Sequence, residues 1–394
     1  MLFNSYLSFI YILAFVLIYN LFRYTVKSRL LNNLIILGFN LLILLTIVNE
    51  HSLIVIAIIS LLIFLAGQAL QKRNHLPLLI AMLILVIGLF IVRNYPHIQE
   101  ILSHSFLSFI NAPVLSVQKI GLSYILFRYT HWLVESYKKS IHQSDFATFL
   151  NYIFFFPSFL CGPIDQYTNF HYWLGTKHMG YQKSLFFAGI SRIFIGTLKT
   201  IGIVPLIIKY ATNYKEFMPY VPLPIALFIS LLVYSIYIYL DFSGYSDIAI
   251  GTAYLVGIKT PENFNNPYIS SSLSEFWKRW HITFSTFLRR YVFKPFIVLY
   301  NKIFSTKHRL LVTVLSYLST FLICGLWHGS TINFAYWGLW HGIGLSVAKI
   351  WSLQTSLHFF KPINTLITFL YVSIGWLFFN YSDTEIVEIF YMIF

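Results

Sequence analysis

Residues 310–348 contain no Asp, Glu, Lys or Arg, which makes 39 consecutive positions without a formal charge. Nothing in the chain constrains its fold more. A helix needs about 20 apolar residues to cross the hydrocarbon of a bilayer. The run is therefore long enough for a two-helix hairpin, with Asn333 near its turn. Further charge-free windows cover 1–22, 30–49, 51–71, 74–92, 217–240 and 362–382. The whole chain is 58% hydrophobic and only 10% charged, whereas soluble domains carry roughly a quarter charged residues. An ordinary soluble enzyme and a disordered chain are both excluded. The expectation is an all-α polytopic membrane protein with about ten to twelve membrane-embedded helices. The period-2 alternation of a transmembrane β-barrel is absent, and no internal repeat of the transporter kind is visible.

Other windows are less clean. Residues 101–118 are interrupted by Asn111 and Pro113, and 120–135 carry Arg128 and Glu135. Residues 146–164 carry Pro157 and end in Gly162-Pro163, and 184–209 carry Arg192 and Lys199. Residues 1–22 lack a basic n-region and a small-residue cleavage site, so they read as an uncleaved first span. The basic groups Arg23, Lys27 and Arg29, then Lys72 and Arg73, then Lys138 and Lys139 are expected on the cytoplasmic side. That places the N-terminus outside the cytoplasm. Cys161 and Cys324 lie in apolar runs without a Cys neighbour, so neither a zinc site nor a disulfide framework is expected.

Polar residues inside apolar sequence mark candidate sites. Asp241 and Asp247 lie in YLDFSGYSDIAIG, where an ionised Asp at mid-bilayer costs about 2.5–3.5 kcal/mol. They belong either to a buried network with Ser243, Tyr245 and Ser246 or to the polar wall of a substrate tunnel. In 274–296 aromatics alternate with Lys278, Arg279, Arg289, Arg290 and Lys294. Trp277, Trp280 and Phe284 fall at helical spacing, which predicts an amphipathic helix at a membrane surface. Residues 324–342 hold Trp327-His328-Gly329 and Trp340-His341-Gly342. A histidine inside the hairpin serves either as a helix–helix hydrogen bond or as a general base that titrates near neutral pH. No carboxylate or Cys joins His281, His328 and His341 at metal-ligand spacing, so no metal is expected. Residues 264–310 hold eight Lys and Arg against Glu275 alone, half of the chain's net +14. Such a segment suits anionic lipid heads or an acidic protein partner; nucleic acid is not expected.

Several of these segments together resemble the membrane-bound O-acyltransferase (MBOAT) family. They are FFFPSFLCGPIDQYTNF (154–170), YLDFSGYSDIAIG (239–251), NFNNPYISSSLSEFWKRWHITFSTFLRRYVFKPF (263–296) and GLWHGSTINFAYWGLWHG (325–342). Within the family, GPIDQY is most like the DltB subfamily of teichoic-acid D-alanyltransferases, with Asp165 as the distinguishing residue. The alginate O-acetyltransferase subfamily is next. The resemblance implies a ring of membrane helices around a thinned centre crossed by a tunnel or funnel. It implies N-terminal membrane helices over 1–114, a catalytic core over 115–350, and a C-terminal membrane helix with a short tail over 351–394. DltB-like proteins have a further C-terminal helix, of which 384–394 would be a short version.

The chemistry so implied is acyl transfer from a cytoplasmic thioester to a hydroxyl acceptor. His328 matches the family's central catalytic histidine and would take the hydroxyl proton as attack proceeds. His281 matches the second histidine motif and would position the donor or polarise its carbonyl. Asn265 and Ser285 are candidate donors to the developing oxyanion. Asp241, Ser243 and Trp327 would line the tunnel, and Cys324, one helical turn before His328, is a candidate acyl carrier. Lys278, Arg279, Arg289, Arg290 and Lys294 would dock an acidic carrier protein. The donor is the phosphopantetheine thioester of that carrier or acetyl-CoA, with no bound cofactor. The acceptor is an envelope polymer such as teichoic acid, or an acyl-relay partner, at the outer face of a bacterial cell membrane. The alternatives are O-acetylation of an exopolysaccharide or peptidoglycan and, more remotely, a transporter using Asp241, Asp247 and the histidines as a proton path.

Overall fold

The computed structural model describes residues 13–21, 28–47, 50–95, 98, 100, 122–141, 144–159, 161–175, 183–304, 306–354 and 360–393. Arg23, Lys27 and the 101–118 window lie outside them. All regular structure among the described residues is helical, as the sequence led us to expect. Five helices among them are long and apolar enough to cross a membrane by length and composition: Leu53–Lys72, Lys183–Thr212, Leu223–Leu255, Arg309–His328 and Lys361–Asn380. The chain divides into two compact units. Unit 1 is Met1–Thr197 with Tyr245–Pro261, and unit 2 is Leu198–Gly244 with Glu262–Phe394.

Unit 1 contains α1 (13–21), α2 (Arg29–Ile47), α3 (Glu50–Lys72), α4 (Leu76–Asn94), α5 (Leu122–Tyr137), α6 (Phe146–Phe154), α7 (Tyr167–Gly175) and α8 (Lys183–Thr197). Helices α3 and α4 pack on α5, and α2 packs on α6. The centre is aromatic: the Trp132 ring lies 4.8 Å from Phe149 and 4.9 Å from Tyr167.

The 146–164 window is not one span. It breaks into α6 and a four-residue turn, Phe156–Phe159. Pro157 lacks the N–H that a continuing helix needs, and the carbonyls freed at the break require other donors. Buried Arg128 supplies them. Its guanidinium donates to the carbonyls of Tyr152 at 2.8 Å, Ile153 at 2.7 Å and Ser158 at 3.0 Å. Asn40 accepts from the Phe156 N–H at 3.0 Å and donates to Asn151 Oδ1 at 3.0 Å, tying the break to α2.

Asp165 follows this break. Its carboxylate accepts from the Gln166 N–H at 2.7 Å and from Asn169 Nδ2 at 2.9 Å, and the same Asn169 amide reaches the Lys259 carbonyl at 3.0 Å. Burial pushes its carboxyl pKa up to about 7, although these hydrogen bonds and the Arg128 charge oppose the shift. The residue that marks the GPIDQY motif therefore holds Asn169, whose amide fastens α7 to the 245–261 segment. Asp247, also in that segment, pairs with Arg192 at 2.5 Å, so it has the structural partner that an intramembrane carboxylate needs.

Unit 2 begins with a π-turn at Leu198–Ile203, then α9 (Val204–Thr212) and α10 (Leu223–Leu255), whose last residues belong to unit 1. Next come α11 (Leu273–Arg279), α12 (Ile282–Leu288), a π-segment at Arg289–Phe293 and α13 (Lys294–Phe304). They are followed by α14 (Arg309–His328), α15 (Ile332–Gln354), α16 (Lys361–Asn380) and α17 (Asp383–Ile393). The hairpin expected over 310–348 is α14 and α15. Its closeness depends on Gly325 and Gly338. A Cβ at Gly325 would sit 2.1 Å from the Phe334 carbonyl oxygen, and one at Gly338 would sit 2.1 Å from that of Phe321. Small residues of this kind let membrane helices approach backbone to backbone.

Asn333 opens α15, where its N–H donates to Asp383 at 2.8 Å and its side chain to the carbonyls of Phe378 and Tyr381. Trp340 and Tyr371 exchange hydrogen bonds between α15 and α16: Trp340 Nε1 donates to the Tyr371 carbonyl at 3.1 Å and Tyr371 OH to the Trp340 carbonyl at 2.6 Å.

Candidate active site

The amphipathic surface helix expected over 274–296 is absent as a single element. The chain leaves α11 at Trp280 and enters α12 after His281, which adopts the left-handed conformation with φ 42° and ψ 54°. That conformation costs a non-glycine residue about 1–2 kcal/mol. It is held by fully buried Asn263. The Asn263 carbonyl accepts from the Ile282 N–H at 2.8 Å. Its side-chain oxygen accepts from Thr283 Oγ1 at 2.8 Å and, more weakly, from the Thr283 N–H at 3.4 Å. The break turns Trp277, Trp280 and Phe284 inward, so all three are buried. The Phe264, Tyr268, Phe276 and Trp376 rings lie within about 6 Å of Trp280.

His281 is thereby set in an aromatic nest. Its ring centroid lies 4.7 Å from Phe242 and 4.9 Å from Phe284. Burial first, and then the nearby His328, hold its pKa well below the ordinary histidine value. His328 is the last residue of α14, just before Gly329 leaves in extended conformation. It is half-buried. Its ring lies 4.5 Å from Trp327, 4.9 Å from Trp337 and 5.0 Å from Phe379. Phe284, 6.3 Å from His328, touches both histidines. Among the described residues the His328 imidazole makes no hydrogen bond.

The remaining expected residues divide. Trp327 joins the cluster, 4.5 Å from Phe284. The Ser285 N–H donates to the His281 carbonyl at 2.9 Å, and its hydroxyl donates to the Trp280 carbonyl at 3.2 Å. Asn265 is exposed, and its backbone pairs with Arg279. Asp241 is half-buried, and its neighbour Phe242 packs on His281. Ser243 accepts from Lys199 Nζ at 3.1 Å. Cys324 is fully buried within α14. Among the described residues no three His, Cys, Asp or Glu side chains group as a metal would require.

Sequence reasoning missed Asn263 and Trp337. Trp337 separates His328 from fully buried His341, lying 4.9 Å from the first and 5.0 Å from the second. The repeated Trp-His-Gly pattern was the available signal for His341. Nothing in local sequence marks Asn263.

Beside the histidine cluster lies a cavity of about 370 Å³, whose lining includes Trp277, Lys278, Ser285, Arg289, Thr320 and Phe321. Among the described residues no carboxylate lines it. Of the five expected docking cations, Arg279 is already neutralised, 2.9 Å from Glu275. The backbone and hydroxyl of Ser271 and the Arg279 charge hold the Glu275 pKa below the usual carboxylate range. Lys278 and Arg289 line the cavity, Lys294 is exposed, and the Arg290 guanidinium lies 5.6 Å from the Tyr291 ring centroid.

The profile described as "MBOAT, membrane-bound O-acyltransferase family" matches residues 4–384. The chain belongs to the membrane-bound O-acyltransferase family. Its relatives in that family differ in what their names say they act on. The "Probable alginate O-acetylase AlgI" of Pseudomonas fluorescens is 32% identical over 271 residues, covering 68% of this chain and 52% of the relative. The "Teichoic acid D-alanyltransferase" of Bacillus subtilis is 32% identical over 253 residues, covering 62% and 60%. The "Peptidoglycan O-acetyltransferase" of Helicobacter pylori is 32% identical over 248 residues, covering 62% and 45%. The chain thus spans about half the length of the curated relatives it matches.

Proposed function

We propose that this chain is an O-acyltransferase of the cell envelope, moving an acyl group from a thioester donor to a hydroxyl of an envelope polymer. The observation that carries the reading is His328: a half-buried imidazole, without a hydrogen bond among the described residues, in an aromatic cluster shared with His281. A hydroxyl is a poor nucleophile near neutral pH. An imidazole able to accept its proton during attack accelerates transfer by about 10²–10⁴-fold. The buried, neutral His281 would act beside it as a hydrogen-bonding group toward the donor carbonyl. Rings crowd both histidines and keep water from the thioester.

The cavity supports a phosphopantetheine or coenzyme A donor. Lys278 and Arg289 would meet its phosphate, and the apolar wall of Trp277 and Phe321 would follow the arm inward. Exposed cations around it favour an acidic carrier protein, arriving from the cytoplasm, as the source of that arm. For the acyl group, GPIDQY and the teichoic-acid relative support D-alanyl, delivered toward teichoic acid. A second reading, acetyl, is favoured by the cavity lining, which offers two cations and no carboxylate to an aminoacyl ammonium. Mass spectrometry of the envelope polymer from cells with and without the chain decides between them. Loss of an alanyl mass upholds the first reading and loss of an acetyl mass the second. An unchanged polymer overturns the proposal.

A further inference from the structure

From Phe276 to Ser382 the chain carries ten Lys and Arg and no Asp or Glu. Five of them, from Lys278 to Lys294, belong to the segment around the cavity. The other five are Lys302, Lys307, Arg309, Lys349 and Lys361, and the helix register brings them to one end of unit 2. In α14 and α15, Gly325 meets Phe334 and Gly338 meets Phe321. That antiparallel register carries Lys349 to the level of Leu310 and Arg309 to the level of Ile350. In α15 and α16, Gly344 meets Tyr371 and Gly375 meets Trp340, which brings Lys361 level with Gln354. At 1.5 Å per residue, Arg309, Lys349 and Lys361 fall within about 8 Å along the helix axes. Lys302, near the end of α13, and Lys307, in the Thr306–His308 turn, lead directly into Arg309.

The opposite end of the same helices is different in charge. Around the α14–α15 turn no Lys or Arg occurs, and Asp383 sits on the Asn333 N–H. The cationic end is also not a purely polar surface. Lys302, Lys307, Arg309 and Lys361 are exposed and Lys349 is half-buried. They are interleaved with exposed Phe304, Leu310, Leu311, Trp351 and Phe360. Tryptophan at the level of a cation ring is the pattern of a helix end at a membrane interface. A docking face for a soluble protein would not need the leucines.

We propose that this end of unit 2 binds anionic phospholipid headgroups, through cations separate from those around the cavity. The apolar side chains enter the acyl region while the five cations meet phosphates. Anionic lipid is concentrated in the cytoplasmic leaflet, so binding fixes this end toward the cytoplasm and the α14–α15 turn away from it.

The test uses the purified full chain in neutral detergent with equal phosphatidylcholine and phosphatidylglycerol, and counts retained lipids by native mass spectrometry. Wild type is expected to retain phosphatidylglycerol with at least about tenfold preference, given the attraction of each surface cation, and to lose it as salt is raised. Changing Lys302, Lys307, Arg309, Lys349 and Lys361 together to Gln is expected to bring the preference to about one. The milder pair Lys302→Gln with Lys307→Gln, on the surface of α13 and its turn, is expected to reduce it several-fold while thermal unfolding in phosphatidylcholine stays unchanged. Lys278→Gln with Arg289→Gln at the cavity is expected to keep it. A wild-type chain without preference overturns the proposal. So does a preference lost with the cavity pair but not with the surface pair, which would move the anion site to the cavity.

Discussion

Asn263→Ala perturbs the clamp that holds His281 in left-handed conformation. The side-chain oxygen of Asn263 makes one strong bond, 2.8 Å from Thr283 Oγ1, and one long bond to the Thr283 N–H. A buried hydrogen bond contributes a net ~1 kcal/mol, and the alanine variant loses both of these. The expected loss of stability is therefore about 1–2 kcal/mol. The left-handed backbone itself costs about 1–2 kcal/mol, so clamp and strain are of similar size. Without the clamp His281 can relax toward an ordinary conformation and leave Phe242 and Phe284. The bond from the Ile282 N–H to the Asn263 carbonyl survives in the alanine variant, so the segment should not unfold. A positioning error near 1 Å costs about 10²-fold in rate. The assay is single-turnover transfer from a thioester donor by reconstituted protein, read beside thermal unfolding. Asn263→Asp keeps the acceptor and should retain most of the rate. Unchanged transfer and unfolding in Asn263→Ala would refute the reasoning, as would an Asp variant that falls as far as the Ala variant.

Two other outcomes follow from the structure. Asp165 has a folded-state pKa raised from 3.8 to about 7. Its protonated form thus contributes stability that is full below the unfolded value and is lost as pH rises through about 7. Thermal unfolding of wild type should shift downward as pH rises from about 4 to about 7 and level off above that, and Asp165→Asn should flatten that dependence; equal slopes would remove Asp165 as the cause. Reversing Arg289 and Arg290 to Glu should lower carrier-dependent transfer mainly through association, with a weakened response to salt, while membrane insertion is kept. Transfer that remains as salt-sensitive as in wild type would place the docking surface elsewhere.

The hairpin of α14 and α15 was legible because 39 residues without charge admit little else. The grouping of the candidate residues was legible in part, since His281, His328 and Trp327 do converge with Phe284. What escaped was geometry that periodicity does not encode. Trp277, Trp280 and Phe284 keep helical spacing whether the chain is one helix or two short helices joined at a left-handed His281. Only the broken form turns all three inward, and a residue before α11, Asn263, stabilises it. Asp165 escaped for a different reason. A motif residue reads alike whether it meets substrate or fastens a loop, and here its carboxylate is occupied by Gln166 and Asn169. The basic segment divided for a third reason: Arg279 is paired with Glu275 one helical turn away, which total charge does not reveal.

The central claim is that His328 takes the acceptor proton. Its most direct test is single-turnover acyl transfer by reconstituted His328→Ala, with helicity and thermal unfolding measured on the same sample. The account predicts a loss of about 10²–10⁴-fold with the fold retained, because among the described residues the imidazole carries no hydrogen bond that the fold would miss. Near-normal transfer in a folded His328→Ala protein would contradict it.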